Sequence, residues 1–159
     1  MEGELPKSDA VPAARSLLMA KIGSKNSRPE MAVRRAAHNL GYRFRLHRRD
    51  LPGTPDLTFP RLRKAIFVHG CFWHRHPGCS RTTTPKTRTD FWTKKFRENL
   101  ERDRRVQREL AEMGWQVLVI WGCETKDASI LSERLHAFLA QPRETGSDHS
   151  TTSHPSACR

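Results

Sequence analysis

The sequence predicts an α/β domain in which a mixed central sheet is flanked by helices. Apolar residues switch between helical and strand periodicity along the chain, in the order αβββαβα. The run WQVLVIW at 115–121 is apolar enough to predict a central strand. With 159 residues, the chain is also long enough to bury one sizeable core.

The first predicted helix has a defined beginning and end. Ser27, Pro29 and Glu30 form a capping-box pattern with a proline in the first turn. We therefore expect a helix that runs from this point to about Leu40 and that Gly41 closes.

Three short strands are predicted next. Apolar side chains alternate with Arg and His over 42–47, which is typical of a half-buried strand. Pro52-Gly53 turns the chain into a second strand at 56–59. A turn at 60–63 then leads into a third, buried strand at 65–68.

The second half of the domain contains a loop, a helix, a strand and a helix. The loop at 70–89 is rich in Cys, His, Pro and Thr. Apolar residues at near-helical spacing over 92–113 predict a helix that Gly114 ends. After the strand at 115–121, a last amphipathic helix is predicted from Ile130, Leu131, Leu135 and Phe138.

The two ends of the chain differ from the domain between them. We predict that the arm 1–14 and the tail 141–159, which contains Cys158, are disordered, because they cannot bury enough apolar surface to offset the entropy of ordering. The predicted domain is 15–140, with the loop 70–89 inside it. No signal peptide opens the chain, so we expect a cytoplasmic protein whose four cysteines stay reduced.

The charge of the chain favours a nucleic-acid partner. The net charge is +12 at pH 7, and residues 15–140 alone carry +14, so the excess belongs to the domain. An anionic membrane surface and mere solubility are the competing interpretations, but no terminal anchor, long apolar run or lipidation signal supports the membrane.

Asp56 is the first candidate for chemistry. It begins one predicted strand, and His69 ends the neighbouring one, so both side chains can share a site. Mg²⁺ prefers oxygen ligands, polarises a phosphate and lowers the pKa of a bound water. The alternatives are that Pro55-Asp56 only makes a turn and that His69 is a satisfied core histidine.

The densest motif is GCFWHRHPGC at 70–79. It holds two cysteines and two histidines, and Cys123 follows the strand at 115–121. Four N and S donors satisfy a tetrahedral Zn²⁺ site, although chance clustering is the alternative. His74 is then left over for chemistry. The candidate zinc ligands are Cys71, His76, Cys79 and Cys123.

Phe72 and Trp73 are two large apolar side chains between the candidate ligands. Buried, they would be part of the core. Exposed on a metal-stiffened loop, they could wedge between base pairs, and a weakly stacked mismatch is easier to deform. Composition leaves both possibilities open.

These residues resemble the very-short-patch-repair (Vsr) endonuclease family, from about Arg15 to Cys123. The run FVHGCFWHRH at 67–76 is highly specific, and LPGTPD at 51–56 is moderately so. The other matching pieces are residues 15 to 19, Glu30, TRTDFW at 87–92, Asn99, ERDR at 101–104, Gly114-Trp115 and Trp121.

The resemblance implies a variant of the restriction-endonuclease fold, in which the usual acid-x-Lys pair of the PD-(D/E)xK site is replaced by histidines. The strand that ends Phe67-Val68-His69 carries neither acid nor Lys and is consistent with this variant. The resemblance also implies an activity. A bacterial, Mg²⁺-dependent enzyme nicks the strand that carries T in a T:G mismatch, on the 5′ side of the thymine, after deamination of 5-methylcytosine.

The resemblance further implies roles for individual residues. Asp56 and the main-chain carbonyl of Val68 correspond to the Mg²⁺ ligands. Phe72 and Trp73 correspond to the aromatic wedge, with Met19 inserting opposite them from the N-terminal arm. The residues around the metal-bound water and the phosphate are His69, His74 and Glu30. The zinc ligands of the family match Cys71, His76, Cys79 and Cys123.

Several assignments have two possible interpretations. Glu30 suits both a helix cap and a catalytic group, and the division of roles between His69 and His74 is open. Two other functions compete with mismatch nicking: a restriction-type endonuclease acting on undamaged DNA, and a zinc-bearing DNA-binding module without catalysis. We expect a monomer, no membrane, and by resemblance a MutL-type partner. The expected phosphate contacts include Lys25, Arg28 and Lys94.

Overall fold

The computed structural model describes residues 25–142. The predicted arm 1–14, Met19 and Cys158 lie outside the described residues. The helices are α1 (Arg28–Asn39), α2 (Thr89–Glu112) and α3 (Ala128–Ala140), the strands are β1 (Arg45–Leu46), β2 (Leu57–Phe59), β3 (Lys64–His69) and β4 (Gln116–Trp121), and short 3₁₀ helices cover Pro60–Leu62 and Glu124–Lys126.

The predicted mixed α/β architecture is confirmed. The four strands form one sheet in the order β1-β2-β3-β4. The pairs β1–β2 and β2–β3 are antiparallel, whereas β3 and β4 run parallel and pair from Lys64 opposite Gln116 to His69 opposite Trp121. Helix α2 makes the long crossover that a parallel pair requires.

The prediction that 115–121 forms a central strand is wrong for the described part of the chain, where β4 lies at the edge of the sheet and β3 lies inside it. Side chains of β4 alternate between two apolar clusters: Leu118 and Ile120 belong to one, and Val117 and Val119 pack against the other. The strand is therefore apolar because both of its faces are covered by helices, whatever its neighbours in the sheet.

The two clusters cover opposite faces of the sheet, since neighbouring residues of β3 divide between them. Ile66 joins the first cluster, which α1 and α3 cover, and Ala65 and Phe67 join the second, which α2 covers. The residues of α2 in the second cluster are Val106 and Leu110. The sheet is thus held from both sides.

Local signals placed α1 correctly, and two other expectations need correction. Ser27 caps α1, and its hydroxyl accepts a hydrogen bond from the Glu30 N–H. The strand expected over 42–47 shrinks to Arg45–Leu46, although Tyr42 and Phe44 still pack on the core. Leu131 and Leu135 lie on the buried face of α3, as expected, and Leu139 joins them. Ile130 is 58% exposed and lies off that face.

Lys64 is a buried lysine at the start of β3. Only 1% of it is exposed, and its Nζ donates to the carbonyls of Phe138 at 2.6 Å, Leu139 at 3.4 Å and Gln141 at 2.6 Å. The last carbonyls of a helix have no partner within the helix, so this ammonium satisfies the C-terminal end of α3 and ties the helix to the sheet.

In the described residues, no helix is long and apolar enough to span a bilayer.

We expect Lys64→Met to lower the free energy of unfolding by about 2–4 kcal/mol, because it leaves buried carbonyls without a donor. Urea denaturation measures this change. The matched control is Lys95→Met on the exposed face of α2, for which we expect a change below about 0.5 kcal/mol. Equal destabilisation by the two substitutions would show that the cap at α3 contributes nothing particular.

Candidate active site and metal centre

Asp56 lies directly before β2 and is held by the neighbouring strand. Its Oδ2 accepts a hydrogen bond of 2.7 Å from the backbone N–H of Val68 in β3. Its Oδ1 lies 3.9 Å from Nδ1 of His47. The pKa of Asp56 is raised to about 6. Burial is the main cause and the nearby charge of Glu30 contributes, whereas the hydrogen bond from the Val68 N–H lowers the pKa.

His69 and His74 stack on each other beside Asp56. His69 is the last residue of β3, and the chain then turns so that the His74 N–H donates to the Gly70 carbonyl at 3.1 Å. The two imidazole rings lie with centroids 3.9 Å apart and an angle of 15° between their planes. The structure therefore brings these two predicted residues together.

Asp103 of α2 completes this group and was missed as a site residue. Its Oδ2 lies 2.5 Å from Nδ1 of His74, so the two side chains are hydrogen-bonded. The stretch 101–104 belongs to the family resemblance, but Asp103 is 29 residues away from His74 and no spacing rule links them. Only the packing of α2 against the sheet places them in contact.

The protonation of the pair follows from its surroundings. Burial, together with the neighbouring His74, lowers the pKa of His69 to about 4, so its imidazole is neutral at pH 7. Burial raises the pKa of Asp103, but the hydrogen bond and charge of His74 outweigh it, and the pKa of Asp103 lies below its ordinary value. An ionised Asp103 therefore faces His74.

Glu30 is buried at the start of α1 and makes the predicted capping box. Its carboxylate accepts from the Asn26 N–H at 2.9 Å, the Ser27 hydroxyl at 3.0 Å and Nη2 of Arg34 at 3.2 Å. It also lines the same cavity as Asp56. Its structural role is thus visible, while the catalytic role stays a prediction.

These side chains line one open cavity of about 780 Å³. Its basic rim includes Lys25, Arg49 and Arg102, which suits an anionic substrate. Lys25 is one of the expected phosphate contacts, and the other two, Arg28 and Lys94, are exposed on α1 and α2 away from the cavity lining. The acidic and imidazole groups of the lining are Glu30, Asp56, His47, His69, His74 and Asp103.

A second cluster forms on the other side of the loop that carries His74. One ligand atom from each of the four predicted zinc-binding residues lies within 4.8 Å of all the others. The Sγ of Cys123 is 3.2 Å from Nδ1 of His76, whose ring stacks on Trp121 with centroids 4.3 Å apart. The four residues are Cys71, His76, Cys79 and Cys123.

The chemistry of this cluster fits a divalent cation. Burial and the neighbouring Cys71 and Cys79 sulfurs together raise the pKa of Cys123 to about 11, because crowded thiolates repel one another. A Cys₃His donor set with this spacing matches structural zinc, which binds thiolates and removes that repulsion. The three cysteines of the described residues are free thiols that form no disulfide.

Phe72 and Trp73 are half-buried in an aromatic platform. The Phe72 ring lies 5.5 Å from that of Trp92 and 5.2 Å from that of Phe96, and the Trp73 ring lies 5.9 Å from that of Trp92. Phe96 is buried, whereas Phe91, whose ring packs against that of Trp92, is 52% exposed. The structure thus places both side chains partly in the core, and their role as a wedge stays a prediction. Trp92 was missed as a member of this platform.

Comparison with known proteins gives the family. Residues 9–81 match the family described as DNA mismatch endonuclease Vsr. A protein of Xanthomonas oryzae pv. oryzae named type II nicking enzyme V.XorIIP is 52% identical over 128 residues, which is 80% of this chain and 93% of that protein. The chain belongs to the Vsr family. The resemblance seen in the sequence is therefore confirmed.

Two further Vsr relatives cover a similar part of the chain. The Escherichia coli K12 protein named DNA mismatch endonuclease Vsr is 39% identical over 132 residues, which is 80% of this chain and 84% of that protein. A Neisseria meningitidis protein named type II nicking enzyme V.NmeAIP is 38% identical over 130 residues, which is 82% of this chain and 92% of that protein. This chain is thus a Vsr-family endonuclease, and several of its relatives are named nicking enzymes.

We expect Asp56→Asn to stabilise the metal-free protein at neutral pH. The pKa of Asp56 is raised in the folded state to about 6, so ionisation costs the fold about 3 kcal/mol above that pH. The stability of the unsubstituted protein therefore falls relative to the variant between about pH 4 and 6. Below about pH 4 the acid is neutral in both the folded and the unfolded state, and the two curves should meet.

Urea denaturation in EDTA across this pH range tests the expectation. Asparagine keeps an acceptor for the Val68 N–H, so that contact is preserved. The control is Glu133→Gln on the exposed face of α3, for which the difference should not change with pH. A difference between Asp56→Asn and the unsubstituted protein that is flat in pH would refute the effect of burial at Asp56.

Proposed function

We propose that this chain is a strand-specific DNA endonuclease that nicks on the 5′ side of thymine in a T:G mismatch, in very short patch repair of deaminated 5-methylcytosine. One observation carries the proposal: a single cavity with a basic rim gathers Asp56, a stacked histidine pair and Asp103 in a member of the Vsr family. The relatives are named mismatch endonuclease and nicking enzyme, and these names support mismatched DNA as the substrate and nicking as the reaction.

Asp56 and the main chain of Val68 are the proposed holders of catalytic Mg²⁺. The fit is chemical, because the Asp56 carboxylate faces the cavity, and a hard cation that keeps several waters needs few protein oxygens. With a pKa of about 6, Asp56 is mostly ionised at pH 7. When bound, Mg²⁺ polarises the scissile phosphate and lowers the pKa of a coordinated water.

His74 is the proposed carrier of the proton. Asp103 accepts the hydrogen bond from Nδ1 of His74, which leaves Nε2 to exchange a proton at the reacting phosphate. The ionised Asp103 also stabilises the imidazolium that forms when Nε2 takes up a proton. His74 can therefore assist attack by water or protonate the leaving oxygen.

His69 is proposed to support His74 rather than to carry charge. Its low pKa, about 4, disfavours an imidazolium, and its ring stacks flat on that of His74. As a neutral imidazole it can still donate one hydrogen bond to a phosphate oxygen. Glu30 is proposed to place a second negative charge at the cavity and to help orient the attacking water.

Zn²⁺ is the proposed structural cofactor. Cys71, His76, Cys79 and Cys123 would hold it, and the metal would tie the loop after β3 to the end of β4. The same loop carries His74 and the aromatic pair. Phe72 and Trp73, with Met19 from the N-terminal arm, are proposed to contact the mismatched step, and Lys25, Arg28 and Lys94 to contact phosphates.

The restriction-endonuclease-like topology is part of the same proposal. The mixed sheet has an acid before β2 and its partner strand β3 alongside, as the variant with histidines would require. A monomer suits a single-strand nick, which needs one active site. Interaction with a MutL-type protein and a cytoplasmic location are proposed from the family resemblance.

We expect the purified, zinc-loaded chain to nick T:G duplexes in Mg²⁺ and to leave matched C:G duplexes and EDTA-treated samples intact. Several flanking sequences are needed, because the sequence context is not defined by the site. Equal cutting of both duplexes would favour the restriction-type alternative. Binding of the T:G duplex without cutting in every flanking sequence would favour a DNA-binding module and would contradict the proposed nicking activity.

Asp56→Ala and Asp103→Asn separate the proposed roles in the same assay. Asp56→Ala should abolish nicking and leave T:G binding within a few-fold, because it removes a metal ligand. Asp103→Asn should reduce the rate by about 10²–10⁴, since His74 loses the partner that fixes its tautomer. Near-normal turnover in either variant would remove that residue from the proposed mechanism. Asp90→Asn, at the exposed start of α2, is the control.

Cys79→Ser should release zinc and lower the melting temperature, because structural zinc contributes directly to folding free energy. Atomic absorption measures the zinc content, and calorimetry measures the melting temperature. A variant without zinc that melts like the unsubstituted protein would show that the metal, if bound at all, has another set of ligands.

A further inference from the structure

His47 spans the space between helix α1 and Asp56. Its side chain is only 17% exposed and follows directly after β1. Its Nε2 lies 2.9 Å from Nη2 of Arg34, and its Nδ1 lies 3.9 Å from Oδ1 of Asp56. One nitrogen of the His47 ring thus faces Arg34 of α1, and the other faces the carboxylate of Asp56.

Arg34 fixes which nitrogen of His47 carries the proton. A guanidinium can only donate hydrogen bonds, so Nε2 of His47 must accept. The proton of the neutral ring is then on Nδ1, and that N–H is directed towards Oδ1 of Asp56. At 3.9 Å it acts on the carboxylate through its dipole and falls short of a direct hydrogen bond.

Arg34 is itself held in place. Its Nη1 donates to Oδ1 of Asn26 at 2.7 Å, and its Nη2 donates to Oε2 of Glu30 at 3.2 Å as well as to His47. The Arg34 side chain is 11% exposed. It cannot turn away from His47 without losing these contacts, so the ring is braced by the start of α1.

The backbone at His47 is a second, independent sign of a functional position. His47 has a φ of 46°, in the left-handed region that costs a residue with a Cβ about 1 kcal/mol. Its N–H points to the Asp56 carbonyl at 3.5 Å, just beyond the last paired residues of β1 and β2. The unfavourable conformation keeps the ring beside Asp56.

We propose that Arg34 and His47 form a positioning pair for Asp56. The ring Nδ1–H of His47 faces Oδ1 of Asp56, and the backbone N–H of Val68 donates to Oδ2. The plane of the Asp56 carboxylate is therefore fixed from both sides. Each oxygen keeps a second lone pair for a cation. This inference rests on the proposed function, in which Asp56 is a metal ligand, and it makes His47 a residue that acts through Asp56.

Direct binding of Mn²⁺, as a spectroscopic substitute for Mg²⁺, tests the proposal without any nicking. The full zinc-loaded chain is titrated with Mn²⁺ and followed by electron paramagnetic resonance. His47→Leu should weaken binding about tenfold, as loss of groups that orient a ligand commonly does. His136→Leu, exposed on α3, is the matched control and should bind like the unsubstituted protein.

His47→Asn is the conservative variant. Its side-chain amide can place an N–H where Nδ1–H of His47 lies, and asparagine tolerates a positive φ. It should therefore bind Mn²⁺ within about threefold of the unsubstituted protein. The proposal is overturned if His47→Leu binds Mn²⁺ normally, or if His47→Asn loses as much affinity as His47→Leu.

A double-substitution cycle keeps the proposal testable even if His47→Leu does not fold. Arg34→Met should weaken Mn²⁺ binding when His47 is present, because the tautomer is no longer fixed. It should have little effect in the His47→Asn background, whose amide does not need Arg34. Equal losses in both backgrounds would overturn the pairing. Arg35→Met, exposed on α1, is the control.

The two proposals fail separately in these experiments. A protein that nicks T:G duplexes but whose His47→Leu variant keeps its Mn²⁺ affinity overturns the positioning pair alone. A protein whose Mn²⁺ binding depends on His47 but which leaves every T:G duplex intact overturns the mismatch substrate alone. A chain that binds no Mn²⁺ overturns the positioning pair.

Discussion

The parallel pairing of β3 with β4 is the constraint on which the site depends. It sets His69 opposite Trp121, and the backbone N–H of Gly122 continues the ladder by donating to the His69 carbonyl at 2.9 Å. The chain leaving β3 and the chain leaving β4 therefore emerge side by side. Only this arrangement lets Cys123 reach the three ligands of the loop after β3.

The loop after β3 serves two sites at once. His69 and His74 face Asp56 and Asp103, while the metal-ligand cluster lies on the opposite side of the same short turn. The turn is closed by hydrogen bonds from the His74 N–H to Gly70 and from the His76 N–H to Cys71. A cation in the cluster would stiffen the loop and keep His74 in contact with Asp103. We therefore expect metal content and catalysis to be coupled, although the two sites share no ligand.

The cavity beside Asp56 is the part of the fold where unfavourable interactions are concentrated. Burial raises the pKa of Asp56 and lowers that of His69, and both shifts record the cost of keeping an ionisable group out of water. His47 adds an unfavourable backbone conformation. The two apolar clusters and the cap that Lys64 gives to α3 offset these costs.

The sequence by itself determined what depends on local pattern and donor chemistry. Periodicity set the order of elements, the capping box set the start of α1, and the Cys and His donors predicted which four side chains lie together in one cluster. It could not place β4 in the sheet, because a continuous apolar run indicates that both faces of a strand are covered and not which strands lie alongside. It also missed Asp103 and His47, since α2 packing and the turn after β1 bring them to His74 and Asp56. Contacts between distant segments are decided by tertiary packing, which no spacing along the chain encodes.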